Sequence, residues 1–232
     1  MSLSTRTTGT AGRLAALGLL CVAAPLLAQT ILPVEQEPAH TVVFENDVVR
    51  VIDATLPVGH ATLYHTHVRD NVPVAVASGR VATTVIGRAP VESVVRIGQV
   101  SFAAGGYTHE VRNAGTTPLR FIDVELRTSA PVVAPAAPVA AVAPISRHAL
   151  ELSNARVRVH RVIVAPGRRL DAHQHAGPVL EVLVAGDAVQ RGAGVALPVI
   201  AGASRWHGDG ALDAARNTGR VPYEVVEVEW IK

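Results

Sequence analysis

The chain has 232 residues, and its 21 basic and 19 acidic residues leave a formal net charge of +2 at pH 7. It contains no basic block and no stripe of alternating basic and aromatic residues, so nucleic acid is not an expected partner. Only 3% of the residues are aromatic, while valine and alanine dominate. This composition predicts a β core built from small side chains.

The first 28 residues have the features of a signal peptide. Arg6 and Arg13 precede an uninterrupted apolar run from Leu14 to Ala28. A membrane-spanning helix needs roughly 20 apolar residues, so this run is short for a permanent anchor, which is the alternative interpretation. We therefore expect residues 1–28 to be removed, the mature protein to be periplasmic or secreted, and no stable membrane insertion after processing.

The single cysteine, Cys21, lies inside this segment. The processed chain would therefore contain no thiol. Disulfide bonds, thiolate catalysis and cysteine-ligated zinc are excluded together.

An internal repeat organises the rest of the chain. Aligning Asn46 with Asn154 shifts one stretch by 108 residues onto another, and after a few deletions the shift becomes 104. Glycine, histidine, asparagine and proline then recur in the same order. The matched pairs include Gly59 with Gly167, His65 with His173, His67 with His175, Gly106 with Gly210, Asn113 with Asn217 and Pro118 with Pro222.

A segment rich in proline and alanine separates the two repeats. Residues 129–145 contain four prolines, a density that blocks helices and sheet ladders and favours an extended linker. The predicted domains are therefore residues 40–128 and residues 146–232.

Both repeats have the sequence pattern of short β-strands. Valine-rich runs such as 48–52 and 157–164 are bounded by Gly, Pro, Asn or Asp. The runs 121–126 and 225–230 carry an acidic residue at every second position, which predicts one solvated and one buried face. Many short strands separated by turns predict an all-β fold of sandwiches or small barrels.

Two histidines in this β context form a candidate metal site. His65 and His67 are two residues apart, and alternate residues of a strand project to the same face. Neutral imidazole is a common ligand of divalent metal ions. The third ligand must come from a neighbouring strand, and His109 in a glycine-rich segment is the candidate.

These spacings resemble the two motifs of the cupin family. The first motif is Gly, five residues, His-x-His and a later closing Gly, and it is matched by Gly59, His65, His67 and Gly79. The second motif is matched at every spacing by Gly98, Gly106, His109 and Asn113, with Ala104 in place of its proline. The resemblance implies two antiparallel cupin barrels of the jelly-roll type, joined by the linker. It also implies that His65, His67 and His109 hold a metal ion inside the first barrel.

The motif also contains a glutamate, which this chain lacks. Counting back from Gly79 puts Val72 at that position, with Asn71 as the nearest polar residue and Asp70 as the nearest carboxylate. A site of three histidines would leave more coordination positions open to substrate, oxygen or water.

The second repeat is more degenerate. His173 and His175 keep the first motif, but Val179 takes the glutamate position and Asp213 aligns with His109. Two histidines and one carboxylate form a set that binds non-haem iron in other proteins, so His173, His175 and Asp213 make a second candidate site. The alternative is a structural barrel that has lost its metal.

Three further residues flank the first site and are candidates for substrate binding. Arg69 shares strand parity with the two histidines, provided that the strand continues, and would then face an anionic substrate. Asn71 and Tyr107 are the polar residues next to the two motifs.

Two functions remain open at the level of the sequence. One is a metal-dependent oxygenase or isomerase acting on a small molecule, and the other is a non-catalytic module that binds a small ligand or uses the metal structurally. The motifs do not select among Fe, Mn, Zn, Ni and Cu. Because cupin barrels often pair through sheet edges, a homodimer is also expected.

Overall fold

The computed structural model of the protein describes residues 30–128, 147–208, 210 and 212–231. The predicted signal peptide and the predicted linker lie outside the described residues. Within the described residues, no helix has the length and apolar character that a membrane span requires.

The first repeat is built almost entirely of strands, with one 3-10 turn at Val34–Gln36. Its strands are β1 Ile31–Pro33, β2 His40–Glu45, β3 Val49–Leu56, β4 Tyr64–His67, β5 Asn71–Ala75, β6 Gly79–Val85, β7 Val91–Val95, β8 Tyr107–Asn113 and β9 Leu119–Leu126. They form two sheets with the orders β1-β4-β8-β6-β7 and β2-β3-β9-β5. All neighbours are antiparallel except β1, which pairs with β4 in parallel.

The second repeat has a matching pair of antiparallel sheets. Its strands are β10 His148–Ser153, β11 Val157–Val164, β12 Arg169–Gln174, β13 Val179–Ala185, β14 Ala188–Arg191, β15 Ala196–Pro198, β16 Ser204–His207, β17 Leu212–Asn217 and β18 Tyr223–Trp230. The sheet orders are β10-β11-β18-β13-β16 and β12-β17-β14-β15. The prediction of an all-β chain with two antiparallel jelly-roll units is confirmed.

The two repeats share one hydrophobic core. In the last strand of each repeat, every second side chain points away from the interior of its own repeat and packs against the other repeat. Ile122 and Val124 of β9 thus lie in the same buried cluster as Val226 and Val228 of β18. This alternation follows the two-residue period of a strand. The inward faces of the same strands are therefore free to build an interior site in each unit.

The acidic residues of these last strands are buried, so the prediction of a solvated acidic face is wrong. Asp123, Glu125, Glu227 and Glu229 are each 6% exposed or less. Acidic and apolar residues do alternate along these strands, but the acidic face points into the interior of its own repeat and the valine face packs on the other repeat. Buried carboxylates are retained only where partners compensate their lost hydration, which makes them markers of a polar interior.

The shared core generates a stability prediction. Ile122→Ala should lower the free energy of unfolding by about 2–5 kcal/mol, because Ile122 is fully buried between the repeats. Ile163→Ala is the matched control, since this isoleucine is 47% exposed and its truncation should cost about 0.5 kcal/mol or less. Urea unfolding followed by circular dichroism measures both. Equal losses in the two variants would contradict the shared core.

Candidate metal centre

Strand pairing brings the three predicted histidines of the first repeat together. β4 runs antiparallel to β8, and His65 lies directly opposite His109 in the register. His67 is two residues further along β4 and therefore faces the same side. Gly105, just before β8, lets the chain pass close to the backbone that follows β4, because a Cβ atom at this position would lie 2.6 Å from the carbonyl carbon of Arg69.

The imidazole nitrogens of this group converge on one point. One ring nitrogen from each of His65, His67 and His109 lies within 4.8 Å of the other two. Nε2 of His67 and Nε2 of His109 are 3.2 Å apart. Two nitrogens that each lie 2.0–2.1 Å from one tetrahedral ion are separated by about 3.3–3.4 Å. The spacing therefore fits a shared metal ion.

The opposite ring nitrogens are held by the surrounding protein. Nδ1 of His65 lies 2.9 Å from the carbonyl oxygen of Leu63, to which it donates when protonated. Nδ1 of His67 lies 3.1 Å from Nδ2 of Asn71 and 3.4 Å from Oδ2 of Asp123. Such contacts fix the tautomer and orientation of metal-binding histidines. In both rings Nε2 is directed at the common point. It is unprotonated in His65 when Nδ1 donates to Leu63, and in His67 when Nδ1 donates to Asp123 instead of accepting from Asn71.

Burial keeps these imidazoles neutral. Loss of hydration is the main cause that lowers the pKa of His65 to about 4, of His67 to about 2 and of His109 to about 3, and the neighbouring histidines lower all three further. A metal ligand must offer an unprotonated nitrogen. At neutral pH the three rings are therefore ready to bind an ion without first releasing a proton.

Asn71, next to the position that the spacing gave the missing glutamate, contacts His67. Val72, which the spacing put there, is fully buried in the hydrophobic core. Asn71 donates from Nδ2 to both carboxylate oxygens of Asp123, at 2.8 and 2.9 Å. Tyr107 donates from its hydroxyl to Oδ1 of Asn71 at 3.2 Å. This polar group supports the histidines from behind. Among the described residues, no glutamate joins the group of the three histidines.

A cavity of about 270 Å³ opens beside the three histidines, between the two sheets of the first repeat. Tyr107 forms part of its wall and stacks on the ring of His67, with centroids 4.8 Å apart. His40, at the start of β2, also lines the cavity and lies edge-on to His65. The remaining wall is largely apolar or uncharged. It includes Leu56, Val81, Thr83, Ser93, Val95, Gln99, Ser101, Val111 and Phe121.

Two of the three predicted substrate-binding residues reach this cavity. Asn71 and Tyr107 line it, whereas Arg69 does not. β4 ends at His67, so the strand parity assumed for Arg69 does not extend to it. Its Nη1 donates instead to the carbonyl oxygen of Arg127 at 2.9 Å.

The second repeat brings His173 and His175 together, but Asp213 does not join them. Asp213 does lie opposite His173 in the strand register, just as His109 lies opposite His65. Its carboxylate, however, accepts a hydrogen bond from Arg191 at 2.9 Å. The side chains that gather around His173 and His175 are His148 and Glu227. The predicted set with Asp213 is therefore replaced by a different one.

Sequence reasoning missed His148, Glu227 and Asp123, although the repeat alignment contained a signal for all three. A shift of 108 places His40 on His148, and a shift of 104 places Asp123 on Glu227. Each pair begins or ends its repeat, far from the two motifs. Both pairs lie at the interior site of their unit.

Comparisons with known proteins support the fold. No protein-family model matches the chain, and no curated protein sequence matches it. Solved structures do match, and those with a TM-score above 0.5 span most of the chain. AerE from Microcystis aeruginosa has a TM-score of 0.59 at 13% identity and covers 84% of this chain and 99% of its own.

Two other similar structures identify the fold class. A cupin 2 conserved barrel domain protein from Leptotrichia buccalis has a TM-score of 0.51 at 10% identity, covering 83% of this chain and 88% of its own. The salicylate 1,2-dioxygenase from Pseudaminobacter salicylatoxidans has a TM-score of 0.53 at 13% identity, covering 79% of this chain and 71% of its own. The protein therefore has the cupin fold, in two copies. At these identities the likeness establishes the fold and no activity.

The buried histidines predict a distinct pH dependence of stability. The folded-state pKa of His65 is lowered to about 4, so the unfolded chain takes up its proton first as the pH falls. In metal-free protein, this histidine should make stability fall between about pH 6.5 and pH 4, by about 1.4 kcal/mol per pH unit. His65→Gln removes this contribution, while His67 and His109 keep theirs, so the dependence should become less steep in urea unfolding measured across that range.

His60→Gln is the control, because His60 is exposed and its replacement should leave the slope as in the wild type. Parallel slopes for the wild type and His65→Gln would contradict the assignment of a buried, neutral His65.

Proposed function

We propose that this protein is a metal-dependent cupin that acts on a small molecule in its first repeat. His65, His67 and His109 would hold a divalent ion at the wall of the 270 Å³ cavity. The observation that carries this proposal is the convergence of three buried, neutral imidazoles on a space large enough for a ligand. Ligand sites of proteins are typically concave and largely apolar, with few polar groups.

The bound ion would supply Lewis acidity or oxygen activation at this wall, as metal ions do in enzymes. The chain itself contributes binding and orientation. Burial raises the pKa of Tyr107, so its phenol stays protonated and holds Asn71. Asn71 in turn fixes Asp123 beside His67. Together these groups set the orientation of the His67 ring.

The cavity wall favours an uncharged or weakly polar substrate. Among the described residues that line it, there is no lysine and no arginine to neutralise an anion. Asp123 also lines it, but burial raises the pKa of its carboxyl group to about 7, so it carries less than a full negative charge at neutral pH. We therefore propose an apolar small molecule with few polar groups, which enters an oxygenase or isomerase reaction.

A non-catalytic ligand-binding module is the second candidate. It is favoured by the scarcity of acid–base groups, because Asp123 is the one carboxyl group among the described residues that line the cavity and it already contacts Asn71 and His67. Oxygen uptake or product formation in the presence of small apolar substrates separates the two functions. Binding without turnover would support the module.

The signal-like residues 1–28 support a further proposal about location. We expect an exported, processed protein, either periplasmic or secreted, with the mature chain beginning at Gln29. N-terminal sequencing of the protein from the expressing cell's periplasm and medium tests this, and a cytoplasmic chain that keeps Met1 would contradict it. A homodimer is proposed as well, which light scattering of the mature protein tests.

The metal proposal predicts a specific loss in the full chain. His109→Ala should lower the metal content by one ion per chain, because two histidines alone hold an ion too weakly to survive gel filtration. Inductively coupled plasma mass spectrometry of purified protein gives this number. His60→Ala is the matched control, as this histidine is exposed and should keep the wild-type content. An unchanged metal content in folded His109→Ala would overturn the proposal.

A further inference from the structure

A second group of metal-binding side chains lies inside the second repeat. One ligand atom from each of His148, His173, His175 and Glu227 lies within 4.8 Å of the others. Oε2 of Glu227 is 2.9 Å from Nε2 of His148 and 3.2 Å from Nε2 of His175. Nε2 of His173 is 3.3 Å from Nε2 of His175. The two separations that involve His175 are close to the roughly 3.3–3.4 Å expected between the ligands of one tetrahedral ion, whereas the 2.9 Å between His148 and Glu227 is a hydrogen-bond distance.

The local geometry of the first site recurs here. Nδ1 of His173 lies 3.0 Å from the carbonyl oxygen of Asp171, two residues earlier, as Nδ1 of His65 lies near that of Leu63. This contact directs Nε2 of His173 inward. Nδ1 of His175 faces Glu229 at 3.9 Å, which leaves its Nε2 for the cluster. The side chains of His148 and Glu227 are each only 1% exposed.

Two changes between the repeats explain why Glu227 joins these histidines and Asp213 does not. Asp213 is held by Arg191, which also pairs with Glu181. In the first repeat, Asn71 donates hydrogen bonds to both carboxylate oxygens of Asp123, which is the counterpart of Glu227. In the strand register, Val179 lies opposite Glu229 as Asn71 lies opposite Glu125, so Val179 takes the position of Asn71 and not that of Val72, to which the motif spacing assigned it. A valine side chain makes no hydrogen bond. The longer Glu227 side chain is therefore available to the histidines.

Two residues of this cluster line a very small cavity. The cavity beside His175 and Glu227 measures about 10 Å³, which is about the space of one water molecule. His148 and Glu227 lie on one sheet of the second repeat, whereas His173 lies on the other. An ion at this point would connect the two sheets.

We propose that the second repeat binds one structural divalent ion, of the Zn²⁺ class, through His148, His173, His175 and Glu227. Three imidazole nitrogens and one carboxylate oxygen complete a tetrahedral shell, as in closed structural sites. The first strand of the repeat, β10, and its last strand, β18, each contribute one ligand. The ion therefore fastens both ends of the repeat to β12.

The competing arrangement is a buried ion pair without metal. Burial alone would lower the pKa of His175, but Glu227 and Glu229 outweigh it and raise the pKa to about 9. A protonated His175 would then satisfy Glu227 in place of an ion. The two arrangements differ in metal content, which can be measured directly.

The experiment uses the full chain with His65→Ala and His109→Ala, which together remove the first site. This background is loaded with Zn²⁺, desalted and analysed by mass spectrometry for zinc per chain. We expect one ion to remain, and its removal by a chelator to lower the thermal unfolding midpoint. Adding Glu227→Gln should weaken zinc binding at least roughly ten-fold, as should His173→Gln, a partly exposed position.

Asp213→Asn in the same background is the matched control and should keep one zinc ion. Circular dichroism shows which variants are folded, and His173→Gln provides the result if Glu227→Gln does not fold. A folded background with no zinc, and no zinc-dependent rise in its unfolding midpoint, would overturn the inference. Loss of zinc in Asp213→Asn but not in Glu227→Gln or His173→Gln would also overturn it. Failure of the first site is separately visible, as an unchanged metal content when His109→Ala is introduced into the wild type.

Discussion

The antiparallel register between β4 and β8 is the constraint on which the proposed site depends. It sets His65 opposite His109 and places His67 on the same face. A slip of one residue would turn one strand's side chains to the other face, because the side-chain period of a strand is two. The contacts that Nδ1 of His65 and Nδ1 of His67 make with their neighbours then orient each ring, so that Nε2 faces the proposed metal position.

The two repeats have the same arrangement of strands but different interiors. In the first repeat, Asn71 donates to both carboxylate oxygens of Asp123, and the site keeps three neutral histidines beside a cavity of about 270 Å³. In the second, Glu227 turns to the histidines and the cavity shrinks to about 10 Å³. Val179 at the position of Asn71, the added methylene of Glu227 and Asp213 at the position of His109 distinguish the two interiors. The first interior therefore has the larger cavity and the second has the carboxylate beside its histidines.

Much of the fold and the first site could be predicted because both depend on local spacing. The His-x-His pair and the glycine-flanked His109 have fixed intervals, and strand periodicity converts those intervals into a shared face. Arg69 could not be placed in this way, because the end of β4 at His67 depends on backbone pairing rather than on residue type. Its parity with the histidines therefore had no structural meaning.

The second site and the buried carboxylates depend on contacts between distant parts of the chain. Alternating acids in a terminal strand usually indicate a solvated face, but here the valine face is covered by the other repeat. Asp213 occupies the register position that its alignment indicates, yet Arg191 decides what its carboxylate contacts. Such outcomes follow from packing, which the spacing of residues along one strand does not encode.

The most direct test of the central claim is a crystal structure of the metal-loaded full chain, with anomalous data collected at the absorption edge of the bound ion. The account predicts an anomalous peak about 2.0–2.1 Å from Nε2 of His65, His67 and His109. A well-ordered first repeat with no peak at these three nitrogens, at full metal loading of the sample, would contradict it.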